Sequence, residues 1–258
     1  MRYWSRIALF LVPAFLTSCT IKEVRGPCPC WLQMDVTACG SGRDLIVSAW
    51  DPDKVFSTKI NVSDYPDFYE RNVPKGELAV SAVRGARYSS LTGHDLLVKS
   101  GHDADSIWAY ASNILALDET CRVKAELHKQ FATVHLSITK DAADNFPFKI
   151  RVNSNIAGFD VRDLSPVCGE FNYSPPEISQ GNFMFRLFRQ KDDSFTIGLI
   201  DNGKPVEDLP LGEYIAETGY DWTAEDLADI YIGIDYITST VSVSVCDWDG
   251  PASFQINI

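Results

Sequence analysis

The stretch Ile230–Ile237 (IYIGIDYI), followed across Thr238-Ser239-Thr240 by Val241–Val245 (VSVSV), decides the fold class. Apolar residues recur at every second position, the period of a strand with one buried face. Phe254–Ile258 (FQINI) predicts a closing strand behind them. Upstream, Gln130–Thr139 (QFATVHLSIT) and Arg122–His128 (RVKAELH) alternate in the same way, and Phe148–Val152 follows. Phe183–Phe188 and Ser194–Ile200 predict a hairpin about Gln190-Lys191-Asp192-Asp193. Nearer the N-terminus, Trp31–Val36, Asp44–Trp50, Val55–Val62 and Glu77–Val83 also read as strands, with Asn72-Val73-Pro74-Lys75-Gly76 as a turn. Tyr88–Asp105 is polar and Gly-rich and reads as a long excursion. Helix is expected only at Leu211–Glu217 and at Thr223–Leu227, the second with Thr223 as its cap.

Many short strands with few helices argue for β-sandwiches. A sandwich takes about 100 residues, so two fit into a chain of 258 residues. The expected units are residues 31–121 and 122–258, without an internal sequence repeat.

The N-terminus has a different character. Arg2 and Arg6 flank the apolar run of residues 7–16 (IALFLVPAFL), which is too short to cross about 30 Å of hydrocarbon. It reads as a secretory signal over residues 1–18. Leu16-Thr17-Ser18-Cys19 looks like a bacterial lipobox, which implies lipidation of Cys19 on sulfur and at the new N-terminus, with 19–30 as a tether. Two or more acyl chains give stable anchoring where one is marginal.

The net charge is −12, and loss of Arg2 and Arg6 with the signal would make it −14. That charge disfavours nucleic acid and anionic lipid headgroups as partners. Apart from Cys19, the cysteines are Cys28, Cys30, Cys39, Cys121, Cys168 and Cys246. An even count in an exported chain makes them candidate disulfide residues of unknown pairing. A straight strand over residues 31–37 would set Cys30 and Cys39 roughly 30 Å apart, far beyond the roughly 7 Å a disulfide spans. One of Cys28 and Cys30 meeting Cys121 or another distant cysteine is the favoured reading. Zinc is the rival, but the C-x-C has no second knuckle.

No nucleophile elbow, zinc helix, phosphate loop or dinucleotide fingerprint is present in the sequence. His94-Asp95 and His102-Asp103 form two Gly-His-Asp triplets, readable as a metal or acid–base site but more simply as solvated loops. His128 and His135 would lie on opposite faces of one continuous strand. Asp201, Asp208, Glu213, Glu217, Asp221, Glu225 and Asp226 make an acidic region without calcium-loop spacing, which reads as a solvated face. Trp50, Trp108, Trp222 and Trp248, with Tyr214, Tyr220, Tyr231 and Tyr236, could pave a binding platform, although core packing is the default for aromatics in strands.

Several segments together resemble one family. The lipobox cysteine with Ile21-Lys22-Glu23, Arg25 and Cys28-Pro29-Cys30-Trp31-Leu32 resembles the N-terminus of FimB-type fimbrial anchor lipoproteins, found with type V fimbriae of Bacteroides-like bacteria. Asp105–Tyr110 (DSIWAY), Leu211–Tyr214 through Gly219–Trp222, and Val245–Trp248 are similar to later parts of the pattern. The resemblance implies two tandem transthyretin-like β-sandwich domains and a lipid anchor in the outer membrane. It also implies a place in a fimbrium contacting fimbrillin subunits, by strand exchange. It implies no enzyme activity, and the residues lead to no expected catalytic, cofactor or metal site. A surface glycan- or ligand-binding lipoprotein with an aromatic platform is the alternative.

Overall fold

In a computed structural model, which describes residues 28–40, 44–139, 148–201, 203–235, 240–247 and 250–257, the chain is built of sheets paired face to face. A three-stranded sheet has the order β4 (Tyr69–Val73), β1 (Cys30–Asp35), β9 (Thr120–Lys124). It faces a five-stranded sheet ordered β10 (His128–Lys129), β8 (Trp108–Ala116), β5 (Gly76–Arg84), β2 (Asp44–Asp51), β3 (Asp53–Asn61). Alternation decides which side chains meet between them. Cys30, Leu32 and Met34 of β1 point inward against Leu45 and Val47 of β2 and Leu78 and Val80 of β5.

The second sandwich pairs two larger sheets. One runs β14 (Glu177–Ser179), β15 (Asn182–Phe188), β11 (Phe131–Thr139), β18 (Asp229–Asp235), β19 (Thr240–Asp247), β20 (Gly250–Asn257). The other runs β17 (Lys204–Leu209), β16 (Thr196–Asp201), β12 (Lys149–Asp160), β7 (Asp95–Val98), β6 (Ser89–Thr92), with β13 (Pro166–Tyr173) also paired to β12. Phe159, Phe185, Phe188 and Phe195 fill the space between them. The helix α1 (Leu211–Glu217) packs Leu211 and Ile215 on the same core. Trp50 of β2 and Val83 of β5 also belong to this second core. The two sandwiches therefore share packed apolar surface.

One strand plan occurs twice. In the first sandwich, β1 lies between antiparallel β4 and parallel β9, while β2 forms a hairpin with β3 and continues through β5 to β8. In the second, β11 lies between antiparallel β15 and parallel β18, while β12 forms a hairpin with β13 and continues through β16 to β17. The sequence shows no repeat because the plan resides in pairing and burial, which many side chains satisfy.

Three expectations are corrected. Residues 183–188 and 194–200 do not form a hairpin: β15 and β16 sit in opposite sheets, and the link between them crosses the core. Phe195 is buried there, and buried Gln190 accepts the Ser154 hydroxyl at 2.6 Å and donates to Phe188 O at 2.7 Å. Residues 223–227 are turns, not helix. The Asp221 carboxylate takes the Thr223 N–H and hydroxyl at 2.7 and 2.6 Å, and Arg189 binds the Trp222 and Ala224 carbonyls that a helix would use internally. The Tyr88–Asp105 excursion contains the β6–β7 hairpin, which crosses over to pair with β12, Leu96 opposite Phe159 and Leu97 opposite Gly158. A Cβ on Gly158 would lie 1.9 Å from the Leu96 carbonyl oxygen, so glycine is required for this approach.

Candidate functional site

Cys19, together with Trp248 and Tyr236, lies outside the described residues, as does the Cys246 side chain. The described chain enters the fold at Cys28 and passes directly into β1, the central strand of its sheet.

Cys28, Cys30, Cys39, Cys121 and Cys168 are free thiols. Cys39 is buried at the far end of β1, against the Ala125 carbonyl at 3.5 Å, and burial pushes its pKa up to about 11. Cys30 and Cys121 come together on neighbouring strands. Leu32 pairs with Cys121, so Cys30 shares a face with it. Burial raises the Cys30 thiol and the Cys121 thiol adds to the effect. Cys28 and Cys168 are exposed.

The two Gly-His-Asp triplets take separate roles. His94 Nδ1 lies 2.9 Å from Asp95 Oδ1 and 3.0 Å from Asp160 Oδ2, three groups that could hold a metal ion. Arg162 already occupies the cationic position: its Nε lies 3.1 Å and its Nη2 2.7 Å from Asp160 Oδ2. Burial works against the ionised Asp160, but the hydrogen bonds from Arg162 outweigh it and hold the carboxyl below the usual range. His102 packs on Tyr88 with ring centroids 4.7 Å apart, while Asp103 accepts the Arg186 backbone N–H at 2.8 Å and pairs with its guanidinium. Burial nevertheless keeps the Asp103 pKa above the ordinary value.

His128 and His135 do not share a continuous strand. The chain breaks at Gln130, so His128 sits in β10 beside Asp226 Oδ2 at 3.1 Å, while His135 stands on β11 in another sheet. The acidic residues likewise have separate local tasks. Asp221 closes a turn, and Asp226 accepts from His128 and the Lys129 backbone. Among the described residues the expected tryptophans do not pave a platform: Trp50 is buried, and Trp108 and Trp222 pack against the core with Tyr214 and Tyr220. Of that set, Tyr231 is exposed.

Two features escape sequence reading. Asp105 is buried and its Oδ2 accepts the backbone N–H groups of Arg87, Tyr88 and Ser89 at 2.7–2.8 Å, which fixes the start of the crossing hairpin. A carboxylate inside a polar loop gives no signal of that task. The second feature is a sheet edge. Among the described residues, β9 is paired only on its β1 side. Its counterpart β18 carries β19 on the equivalent flank, from Asp229 opposite Cys246 to Asp235 opposite Thr240. Among the described residues, the first sandwich thus leaves unpaired a position that the second fills with β19.

No family model matches the sequence. No curated protein matches it either. Solved structures do. The fimbrial anchor protein Mfa2 from Porphyromonas gingivalis superposes with a TM-score of 0.59 at 12% identity, over 90% of this chain and 98% of that one. A DUF1812 protein from Bacteroides thetaiotaomicron, named as a candidate polysaccharide-binding protein, gives a TM-score of 0.60 at 12% identity, over 89% and 98%. A candidate adhesin from Bacteroides ovatus gives 0.56 at 11% identity, over 91% and 97%. The chain shares its fold, over both sandwiches in order, with a fimbrial anchor protein and with Bacteroides proteins named for adhesion and polysaccharide binding.

Proposed function

We propose that this protein is a non-enzymatic accessory or anchor subunit of a fimbrium, held in the outer membrane by lipid on Cys19 and exposed at the cell surface. The fold shared with a fimbrial anchor protein supports the class. The observation that carries the mechanism is the open flank of β9. An unpaired edge offers a row of N–H and C=O groups to an incoming strand, and β19 beside β18 demonstrates that this strand plan takes an antiparallel neighbour there. A fimbrillin segment added to β9 would extend the three-stranded sheet as β19 extends its counterpart. In this reading, residues 19–30 are the tether and the two sandwiches are the functional units.

Two experiments test the proposal. Palmitate labelling is expected to mark the native protein and to vanish in Cys19→Ala, which should leave the membrane fraction. A labelled, membrane-bound Cys19→Ala protein overturns the anchor. Pull-down from outer membranes is expected to recover a polymerised β-sandwich subunit, and Arg122→Pro, which removes an N–H on the open side of β9 while the bonds of its neighbours to β1 remain, should abolish recovery. Recovery of the protein alone overturns the fimbrial role.

A further inference from the structure

The outer face of the six-stranded sheet carries an uncharged groove. Strand register builds it from two rows. Met184, His135, Tyr231 and Ser244 stand side by side on β15, β11, β18 and β19. The next row is Asn182, Ser137, Gly233 and Ser242 on the same strands. Between the rows, Leu136, Phe183, Ile232 and Val243 turn into the core, so both rows belong to the solvent face.

The first row forms a wall. The His135 and Tyr231 rings stack with centroids 4.6 Å apart and planes 7° from parallel. Stacking covers one face of Tyr231. On its other flank stands Ser244, too short to cover a ring, and Tyr231 remains 39% exposed. The second row forms a low polar floor. Gly233 lies in the interior of a paired strand, where glycine weakens the sheet and often marks a close approach. A Cβ on Gly233 would lie 2.6 Å from Ser242 Oγ, so any side chain there would displace the hydroxyl and fill the floor. The cavity measures about 390 Å³, within the roughly 300–1,000 Å³ of ligand pockets.

We infer that this groove is a binding site for a neutral sugar unit of a glycan. The lining decides the class. Among the described residues, no Asp, Glu, Lys or Arg lines the groove, in a chain whose net charge is −12. An anionic ligand finds no counter-charge and a repelling background, and a cation finds no carboxylate. A protein partner would want about 800 Å² of surface with an apolar centre, whereas the apolar lining here, Tyr231 with Met184 and Ile178 towards one end, borders hydroxyls and a carboxamide. A pyranose has a C–H face for the Tyr231 ring and hydroxyls that can donate to Ser244 Oγ, to Asn182 Oδ1, whose amide N–H groups are held by Ser179 and Gln180, and to Ser242 Oγ, whose own proton goes to Gly233 O. The aromatic face supplies apolar contact and the floor supplies orientation.

The test uses the full chain with three neutral probes: maltohexaose, cellohexaose and mannohexaose, with a heparin hexasaccharide as the charged control. Calorimetry and saturation-transfer NMR are expected to detect at least one neutral probe with a dissociation constant of about 1 mM or tighter, and no heparin binding. Tyr231→Ala and Gly233→Ala should each weaken binding about tenfold or more, and Tyr231→Phe should retain it. Trp31→Ala, which removes an exposed aromatic on a different sheet, should leave it unchanged. Thermal melting confirms that each variant is folded. Fimbrial recovery should survive Tyr231→Ala, which separates this site from the subunit interface. Failure of all three neutral probes at about 10 mM, or unchanged binding in folded Tyr231→Ala, overturns the assignment. So does Tyr231-dependent self-association of the chain without sugar binding.

Discussion

The three-stranded sheet of the first sandwich and the six-stranded sheet of the second begin from the same arrangement, a central strand with an antiparallel neighbour on one side and a parallel one on the other. Everything that differs is added at the edges. The second sheet gains β19 and β20 beyond β18 and β14 beyond β15, while the first, among the described residues, stops at β4 and β9. The core plan is repeated within the molecule, and the edges carry what distinguishes the two units. Edge pairing is the element of a sheet that can change without repacking the interior.

The strongest attack on this comparison is to ask whether the two units are separable. Phe159→Ala should cost about 3–5 kcal/mol. Because Trp50 and Val83 of the first sandwich lie in the same core as Phe159, both units should lose stability in one transition, read by urea denaturation with Cys39 thiol exposure as the reporter for the first. An unchanged Cys39 transition would show two independent sandwiches. Next in size, Gly158→Ala should cost about 1–3 kcal/mol by overpacking. Hydrogen exchange should quicken across residues 89–98, since β7 must leave β12, while β1, β4 and β9 keep their protection.

Acid probes the second sandwich through Asp229. Burial opposes the ionised Asp229, but the hydrogen bonds from Lys129 Nζ at 2.6 Å and the Thr133 N–H at 2.8 Å prevail and depress its pKa. A depressed folded pKa means that the native state binds fewer protons than the unfolded one. The stabilisation is complete above the ordinary carboxylate pKa and is lost as pH falls through the depressed value. Asp160 behaves in the same direction. Asp229→Asn should therefore flatten the acid limb of the stability curve, and should cost about 1 kcal/mol or less at neutral pH because the carboxylate is partly exposed. Smallest in energy but sharp in readout, iodoacetamide at pH 8 should label Cys28 and Cys168 in the native protein and spare Cys39, whose thiol is buried and raised to about 11.

Alternation made β1, β5, β11, β18 and β19 legible in the sequence, and β2 stood out as a short apolar run. Alternation misled at β15 and β16, since a period of two is identical for strands in the same sheet and in opposite sheets. The β6–β7 hairpin was hidden because its strands are only four residues each and their partner β12 lies far along the chain. β17 was invisible for a related reason: Lys204 to Asp208 are exposed and only Leu209 turns inward. Candidate site residues were visible singly. Tyr231 and His135 could be named, but their stacking depends on the parallel register of β11 with β18, which neither segment specifies alone.

The position of β1 sets how the molecule meets force. A pull applied at Cys28 travels along a strand stitched to neighbours on both flanks, with its bonds lying across the direction of the load. Those bonds must slip together in shear instead of unzipping in succession from an edge. Resistance of this kind is governed by the unfolding rate, and it is the property that the proposed tether at the N-terminus would draw on.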